Sequence, residues 1–524
     1  MWKYWQRIMA SLALFNALLL CLLLQNLLAD AKVVVLLSAP HTADVRTYTN
    51  VARELSSYGH ETYVCVPQFL LDSNLVNTDG VKVIPYGQYL NNFDSFFFQT
   101  VLDRFWRGEN IWVRDYVSLI QSMQAIVRQI LTDQNLITTL RTIKPDLFIL
   151  TNGPFFRNIV TLPYMLNISF AYLGSFNDLP GQRVPFSPSS TACPGYPEFK
   201  EEGMGFYGRL ATSLCNVVVT FLDHYFMDDK MVAELAPNSP KASVSEISRM
   251  AKVYIIESEP ILDYAKPEMP YMKLIGSTAL TKPADLMPPL KSFIDNSEKG
   301  VALVSSANIP APIAKKMMLA FQQQNLSVIW RVHFSPANTS RLMTMPWVPQ
   351  NDILANRKTR LFVSHCGTHS QYDALYHGVP ILCLPLYGDQ FYNAERAKSK
   401  GFGLSANLAT ISYKQLAKLM SKVADTDKYR NSIERASSLY KMFYKNPSET
   451  AAFWIDHVIE NGGIYMRSTA QTLPLFKLLT LDIMAFVFLV IAAVILVIVC
   501  ACVFCFKIAR KCLTALVRPK LKKS

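Results

Sequence analysis

Residues Ile483 to Phe506 form a run of 24 residues without a formal charge. At ~1.5 Å per residue, a helix of that length spans the ~30 Å of hydrocarbon in a bilayer. A lone segment can satisfy its own backbone N–H and C=O groups there only as a helix. Core helices of water-soluble domains are seldom so uniformly apolar, so the run reads as a membrane span. Lys507, Arg510, Lys511, Arg518, Lys520, Lys522 and Lys523 follow it, with no acid among them. The positive-inside rule then makes this tail cytosolic and the bulk of the chain lumenal, a single-pass type I arrangement. At the other end, Lys3 and Arg7 precede the apolar stretch Ile8 to Leu24, and Ala29-Asp30-Ala31 offers a small-residue cleavage site. Residues 1–31 read as a secretory signal peptide, with an uncleaved anchor helix as the other reading.

The two apolar ends account for much of the 51% hydrophobic and 17% charged composition. They also account for most of the net charge of +13, because seven positive charges lie in the tail and two in the leader. The remaining +4 marks no separate basic domain, so nucleic-acid binding has little support. Lysines at the third and fifth places from the end resemble a dilysine retrieval signal of endoplasmic-reticulum membrane proteins. Asn167, Asn325 and Asn338 begin glycosylation sequons, and Asn167, beside an apolar run, is the least suited to use. Cys500, Cys502, Cys505 and Cys512 lie at the membrane. Cys65, Cys193, Cys215, Cys366 and Cys383 are lumenal, and their odd number leaves at least one thiol without an internal partner. Cys65 and Cys383 fall in apolar runs and read as packed core. No CxxC metal pattern occurs.

Between the ends, strand-like and helix-like segments alternate. Lys32 to Ser38, Glu61 to Pro67, Asp146 to Leu150 and Ile168 to Leu173 read as strands, and Val45 to Tyr58 as a helix. Phe97 to Leu140 reads as one long helical, aromatic-rich region. The composition then shifts at Thr281 to Pro289, and a second series follows: strands at Val301 to Ser305, Ser327 to Arg331, Leu361 to Ser364 and Pro380 to Pro385, with a helix at Ile313 to Gln324. Continuous apolar strands suit parallel sheets covered on both faces. Two such series predict an α/β chain of two facing Rossmann-like domains, residues 32–280 and 299–460, joined by a linker at 281–298. A membrane-proximal segment (461–482), the span (483–506) and the tail (507–524) complete the organisation.

The densest motif is FVSHCGTHSQYDALYHG, from Phe362 to Gly378. An apolar strand ends in a small-residue turn and a helix follows, with Gly378 placed as its C-cap. Ligands of open α/β sheets bind beyond the carboxyl ends of the strands, where the free amides and positive end of the next helix favour a phosphate. Here Gly367 admits close backbone approach, Ser370 and His365 can donate, and Asp373 can accept from a ribose hydroxyl. By spacing alone this is a generic anion site or an ordinary tight turn.

The wider segment resembles the signature of the UDP-glycosyltransferases, and more narrowly of the membrane-anchored animal UDP-glucuronosyltransferases. It runs Trp347-Val-Pro-Gln350, His365 to Asp373, Gly378-Val-Pro, Pro385-Leu-Tyr-Gly-Asp389-Gln390 and on to Gly401. The resemblance extends over nearly the whole chain, through Glu54 to His60, the Gly205/Arg209 region, Trp330-Arg331 and Leu481-Asp482. It implies a GT-B fold with a UDP-sugar in the C-terminal domain. Trp347 and Gln350 would address the uracil and Asp373, where a glutamate is usual, the ribose. His365, Gly367 and Ser370 would hold the diphosphate, Asp389 and Gln390 the sugar, with Arg331 nearby. No metal and no further cofactor is implied, since UDP-sugar is a co-substrate.

The resemblance breaks at the general base. The family's histidine lies about sixteen residues before that of the Gly-His pair. Sixteen residues before His60 stands Asp44, while His41 stands nineteen before. Either a displaced His41 is the base or Asp44 has replaced it, and a carboxylate with a pKa of ~4 is a poorer base unless burial raises it. Asn152 occupies the position expected for the aspartate that steadies the histidine. Ser305-Ser-Ala307-Asn308 departs from the usual Ser-x-Gly-Ser run. The expected function is inverting, metal-independent transfer of glucuronate or glucose from a UDP-sugar to a hydroxyl of a small lipophilic acceptor. Phe96, Phe97, Phe98, Trp106 and Trp112 suit an apolar acceptor pocket. The alternative is a non-catalytic UDP-sugar-binding partner that regulates an active relative through hetero-oligomerisation, and whether the chain also forms a homo-oligomer is open.

Overall fold

In the computed structural model of the 524-residue chain, the structure describes residues 31–73, 76–88, 90, 102–107, 109, 113–176, 182–184, 205–222, 227–305, 309–332 and 339–517. Residues 1–30, Cys193, Phe96 to Phe98, Trp112, Ala307, Asn308, Asn338 and the last seven residues lie outside them.

The first sheet has seven parallel strands in the order β3-β2-β1-β4-β5-β6-β7. These are β1 (Val33–Leu37), β2 (Glu61–Pro67), β3 (Lys82–Tyr86), β4 (Leu147–Thr151), β5 (Ser169–Gly174), β6 (Tyr254–Ile256) and β7 (Met272–Leu274). Val34, Val35, Leu36, Phe148, Ile149 and Leu150 lose all contact with water, as strands covered on both faces must. Helix α1 (Thr42–Ser57) turns Val45, Tyr48, Val51, Ala52 and Leu55 toward this sheet at helical spacing. The region Phe97 to Leu140 is helical in its described part, where two helices meet. Helix Val113–Leu131 stops, and Asp133 caps a new helix, Gln134–Ile143, by accepting from the Asn135 and Leu136 amides.

The second sheet has six parallel strands in the order β10-β9-β8-β11-β12-β13. They are β8 (Val301–Ser305), β9 (Ser327–Arg331), β10 (Leu342–Met345), β11 (Thr359–Ser364), β12 (Ile381–Cys383) and β13 (Gly403–Ser405). Helix α2 (Thr368–His377) follows β11 and α3 (Gln390–Ser399) follows β12. Gly378 ends α2 in the left-handed region at φ +67°, a conformation that side chains bearing a Cβ avoid. Helix α4 (Pro447–Asn461) returns to the first core, where Ala451, Ala452, Ile455 and Val458 are buried. His60, just past α1, contacts Asp456 on α4 at 2.9 Å.

Residues 468–524 form a separate unit. Its main element is helix α5 (Leu481–Val517), and the part from Leu481 to Thr514 is long and apolar enough to cross a membrane, with a mean hydropathy of 3.5 over its 18-residue window. Asn167 and Asn325 are both exposed, and Asn167 sits in the left-handed region at the end of helix Thr161–Leu166. The apolar run beside Asn167 therefore does not bury it.

Candidate active site

The second sheet reverses its strand order between β8 and β11. That reversal leaves a crevice outside the carboxyl ends of the two strands, where Ser305 and Ser364 lie. His365 leaves β11 into this crevice and hydrogen-bonds the Ser305 backbone. Burial holds its imidazole below the ordinary histidine range, and the positive charge of Arg331 adds to this against the pull of Asp389. A neutral His365 is thereby available as a hydrogen-bond donor. Gly367 comes next but one, and a Cβ there would stand 3.0 Å from His365 Nε2, so glycine keeps the imidazole in place. Arg331 ends β9, and its buried Nε has no hydrogen-bond partner among the described residues.

Cys366, between His365 and Gly367, has a positive φ of +63°, an uncommon conformation for a side-chain-bearing residue. Its amide donates to Ser364 Oγ at 3.1 Å, and its sulfur is bonded to Cys383 at the end of the neighbouring strand β12. Cys383 is thus not a simple packed thiol. The sequence shows its apolar surroundings but not that β11 and β12 lie side by side. Cys65 is buried and free, and burial pushes its thiol up. Cys215 is disulfide-bonded.

Along α2, Asp373 Oδ2 accepts from Gln350 Nε2 at 2.7 Å. Arg46, reaching over from α1, stands 4.0 Å from the other oxygen. Trp347 is 59% exposed, so its ring is a free face and not core. Asp389 precedes α3 and accepts from Asn393 Nδ2 at 2.7 Å and Thr368 Oγ1 at 3.2 Å. Gln390 Oε1 accepts from the Leu386 amide at 2.9 Å, so half of its carboxamide shapes the loop that carries Asp389. Ser370 lies half-buried on the first turn of α2.

The first sheet has its own reversal, between β1 and β4. His41, Asp44, Thr151 and Asn152 lie there. His41 caps α1, its Nδ1 accepting from the Ala43 amide at 3.2 Å. A neutral imidazole bonded in this way carries its proton on Nε2. Asp44, on the first turn of α1, accepts from Thr151 Oγ1 at 3.3 Å. Burial raises its carboxyl above the usual range, against the lowering effect of His41 and His369. Asn152 spends its side chain on the exit of β5: Nδ2 donates to the Gly174 and Phe176 carbonyls, and Oδ1 accepts from the Phe176 amide. Among the described residues it makes no hydrogen bond to His41 or Asp44. Tyr172, Tyr254, Thr151 and Asn152 line a cavity of about 30 Å³ behind it, room for little more than one water.

The two crevices face each other, since on α1 Arg46 stands 4.0 Å from Asp373 of α2 and Thr47 Oγ1 stands 3.5 Å from His369 Nε2 of α2. Sequence reading passed over two further groups at this meeting. Glu257, just past β6, lies 3.5 Å from His369 Nε2 on α2. Asp263 accepts from Lys266 at 2.8 Å and Ser258 at 3.0 Å and pairs with Arg396 of α3 at 3.6 Å. Arg396 in turn donates to Gln371 on α2 at 2.7 Å. The acids stand in IIESEPILD, where nothing local distinguishes them from turn residues; His369 and Arg396, which they meet, come from the other half of the chain.

The family described as UDP-glucoronosyl and UDP-glucosyl transferase matches residues 33–518. The chain belongs to this family. UDP-glucuronosyltransferase 1A6 of Homo sapiens is 28% identical over 88% of this chain and 89% of its own. The 1A6 protein of Oryctolagus cuniculus is 27% identical over 87% and 88%. Among solved structures, the glycotransferase of kitacinnamycin aligns with a TM-score of 0.57 at 14% identity, over 82% of this chain and 98% of its own. A UDP-glucosyltransferase from Polygonum tinctorium aligns at 0.56 and 14%, over 83% and 100%. The fold of this UDP-glycosyltransferase is therefore the GT-B fold of those enzymes, as the two parallel sheets require.

Proposed function

We propose that this enzyme moves glucuronate or glucose from a UDP-sugar to a hydroxyl of a small lipophilic acceptor, with inversion and without a metal ion. One observation carries the reading: the crevice with His365, Gly367, Arg331 and the first turn of α2 faces the crevice with Asp44, with α1 and α2 in contact through Thr47 and His369 at 3.5 Å. The helix amides, Arg331 and His365 would receive the diphosphate in the role a cation fills elsewhere. Trp347 supplies an exposed ring for the uracil. Gln350 and Asp373 are joined in one hydrogen bond suited to the ribose, and Asp389 is braced for the sugar hydroxyls.

Asp44 suits the general base better than His41. The acceptor hydroxyl gives its proton to the Asp44 carboxylate as its oxygen bonds the anomeric carbon. The bond from that carbon to the diphosphate breaks, and UDP leaves on the opposite wall. Attack from one wall with departure toward the other inverts the anomeric centre. A raised carboxyl pKa favours such a transfer, whereas the available lone pair of His41 is engaged by Ala43. Helix α1 runs unbroken from Thr42 to Ser57, so Asp44 reaches the position sixteen before His60 without an insertion in the helix.

The span, the tail and the leader support an endoplasmic-reticulum protein with a lumenal catalytic part, glycosylated at Asn325, Asn338 or Asn167. The engagement of His41 Nδ1 and of the Asn152 carboxamide favours the second reading, a non-catalytic partner. UDP release by permeabilised microsomes, given UDP-glucose or UDP-glucuronate with mixed phenols and sterols, separates the two. Release above a His365→Ala control supports the enzyme. UDP-sugar binding without release over that panel supports the partner.

A further inference from the structure

We infer that Glu257 is a positioning residue for the diphosphate end of the donor site, acting through His369, whose imidazole it holds across the boundary between the two sheets. The inference rests on the donor-binding reading above. His369 is the second residue of α2, between Gly367 and Ser370 on the turn proposed for the diphosphate. Its Nε2 lies 3.5 Å from Glu257 Oε2 and 3.5 Å from Thr47 Oγ1 of α1. Glu257 is only 2% exposed, and its carboxylate is fixed from three sides. The Thr278 amide and hydroxyl donate to it at 2.8 Å, Ser175 Oγ at 3.1 Å and Thr47 Oγ1 at 3.4 Å. A buried carboxylate needs such donors and a counter-ion to remain charged.

A cation at this place calls for a reason. The first turn of a helix is its positive end, so an imidazolium there is electrostatically uphill by itself. Glu257 reverses the balance. Burial works against the charged imidazole, but the bond to Glu257 and its charge, with help from Asp44, raise the His369 pKa above its ordinary value despite Arg46. Those are the charged groups that face it: Glu257 from the end of β6, and Asp44 and Arg46 from α1. Arg46 is itself drawn to Asp373 on α2, and His41 acts on Asp44. Glu257 stays ionised, because His369 and the Thr278 donors outweigh its burial. A diphosphate arriving at this turn meets a second positive group, already paid for in desolvation and oriented by the other domain.

The sign of the pH dependence follows. The charge on His369 is present below its raised pKa and is lost as pH rises through that value. Donor binding should therefore weaken on the alkaline side. Glu257→Gln removes the carboxylate, lowers the His369 pKa and moves this alkaline limb to lower pH by about one unit or more. His369→Gln keeps a donor of similar reach without the charge and should abolish the limb.

The test uses the full-length protein in detergent, with the rise in Tm on adding UDP-glucose or UDP-glucuronate read between about pH 5.5 and 9. The diphosphate of these donors has no proton that titrates in that range. The expected result is an alkaline limb in the wild type, displaced in Glu257→Gln and missing in His369→Gln. If Glu257→Gln does not accumulate, His369→Gln carries the test alone. A wild-type rise whose pH dependence is the same in both variants overturns the inference and leaves donor binding standing. A wild type stabilised by neither sugar nucleotide at any pH removes the donor-binding reading, and this inference with it.

Discussion

At the scale of single residues, the account turns on two side chains on either side of the first turn of α1. If Asp44 takes the proton, Asp44→Asn keeps size and hydrogen bonding but loses the base. The expected loss in kcat is about 100-fold or more, the usual contribution of a general base. The donor KM should hardly move, because Asp44 belongs to the opposite wall. His41→Ala removes a helix cap and should cost about 1 kcal/mol of stability, with a fall in kcat of less than about tenfold. UDP release at saturating donor, with Tm as a control, checks both. The acid limb of kcat should also lie above the ordinary carboxylate range, since burial raises Asp44 and its base form is lost as pH falls through that higher value.

The candidate residues were legible for a physical reason. His365, Gly367, Ser370 and Asp373 lie within nine consecutive residues, and Trp347, Gln350, Asp389 and Gln390 flank them. One βα unit with its neighbours builds most of the donor wall, so the linear pattern already contains it. The Glu257–His369 and Asp263–Arg396 pairs join distant stretches, and no local pattern announces them. Asn152 shows the reverse: its position drew attention, but its carboxamide is used to hold the chain leaving β5.

At the scale of elements, β1, β2, β8 and β9 were readable because buried parallel strands appear as unbroken apolar runs. Strands β6, β7 and β13, of three residues each, are too short to show a pattern. Adjacent strands β11 and β12 also create the Cys366–Cys383 bond, which closes a loop with a sequence separation of 17. A loop of that size restricts the unfolded chain by about 3 kcal/mol. Cys383→Ala should lower stability by about that amount and weaken UDP-sugar binding, because Cys366 holds the turn between His365 and Gly367 in its positive-φ form. Thermal unfolding with and without UDP-glucose measures both effects.

Glu259 offers a second test at this scale. It is fully buried, accepts from the Leu262 amide at 3.0 Å and from the Ile261 amide, and burial raises its pKa to about 7. A carboxyl whose folded pKa exceeds its unfolded value binds more protons when folded. Its contribution is therefore favourable at acid pH and is lost as pH rises from about 4.5 toward 7. The loss amounts to about 3 kcal/mol. Glu259→Gln should make stability flatter between those pH values and raise Tm above pH 7 relative to the wild type. A variant with the wild-type pH slope would show that Glu259 is not the group responsible.

At the scale of the whole molecule, transfer requires the walls of the two sheets to stay in register. The buried pair of Asp263 and Arg396 serves this, extended through Gln371 to the helix that carries Asp373. Removing one partner of a buried ion pair typically costs ~3–5 kcal/mol. Arg396→Ala should therefore be among the more destabilising single changes. Asp263→Ala should cost more still, since it strips the counter-charge from both Arg396 and Lys266. Chemical denaturation of the two variants decides this.

The measurement that bears most directly on the whole account is sugar transfer from UDP-glucose and UDP-glucuronate by full-length wild-type protein, Asp44→Asn and His365→Ala in microsomes. UDP-sugar binding is followed in parallel by thermal stabilisation. The account expects glycosylated product from the wild type, little or none from Asp44→Asn with donor binding retained, and loss of both binding and transfer in His365→Ala. Transfer by Asp44→Asn at the wild-type rate would contradict the proposed base. Undiminished donor binding by His365→Ala would contradict the proposed site.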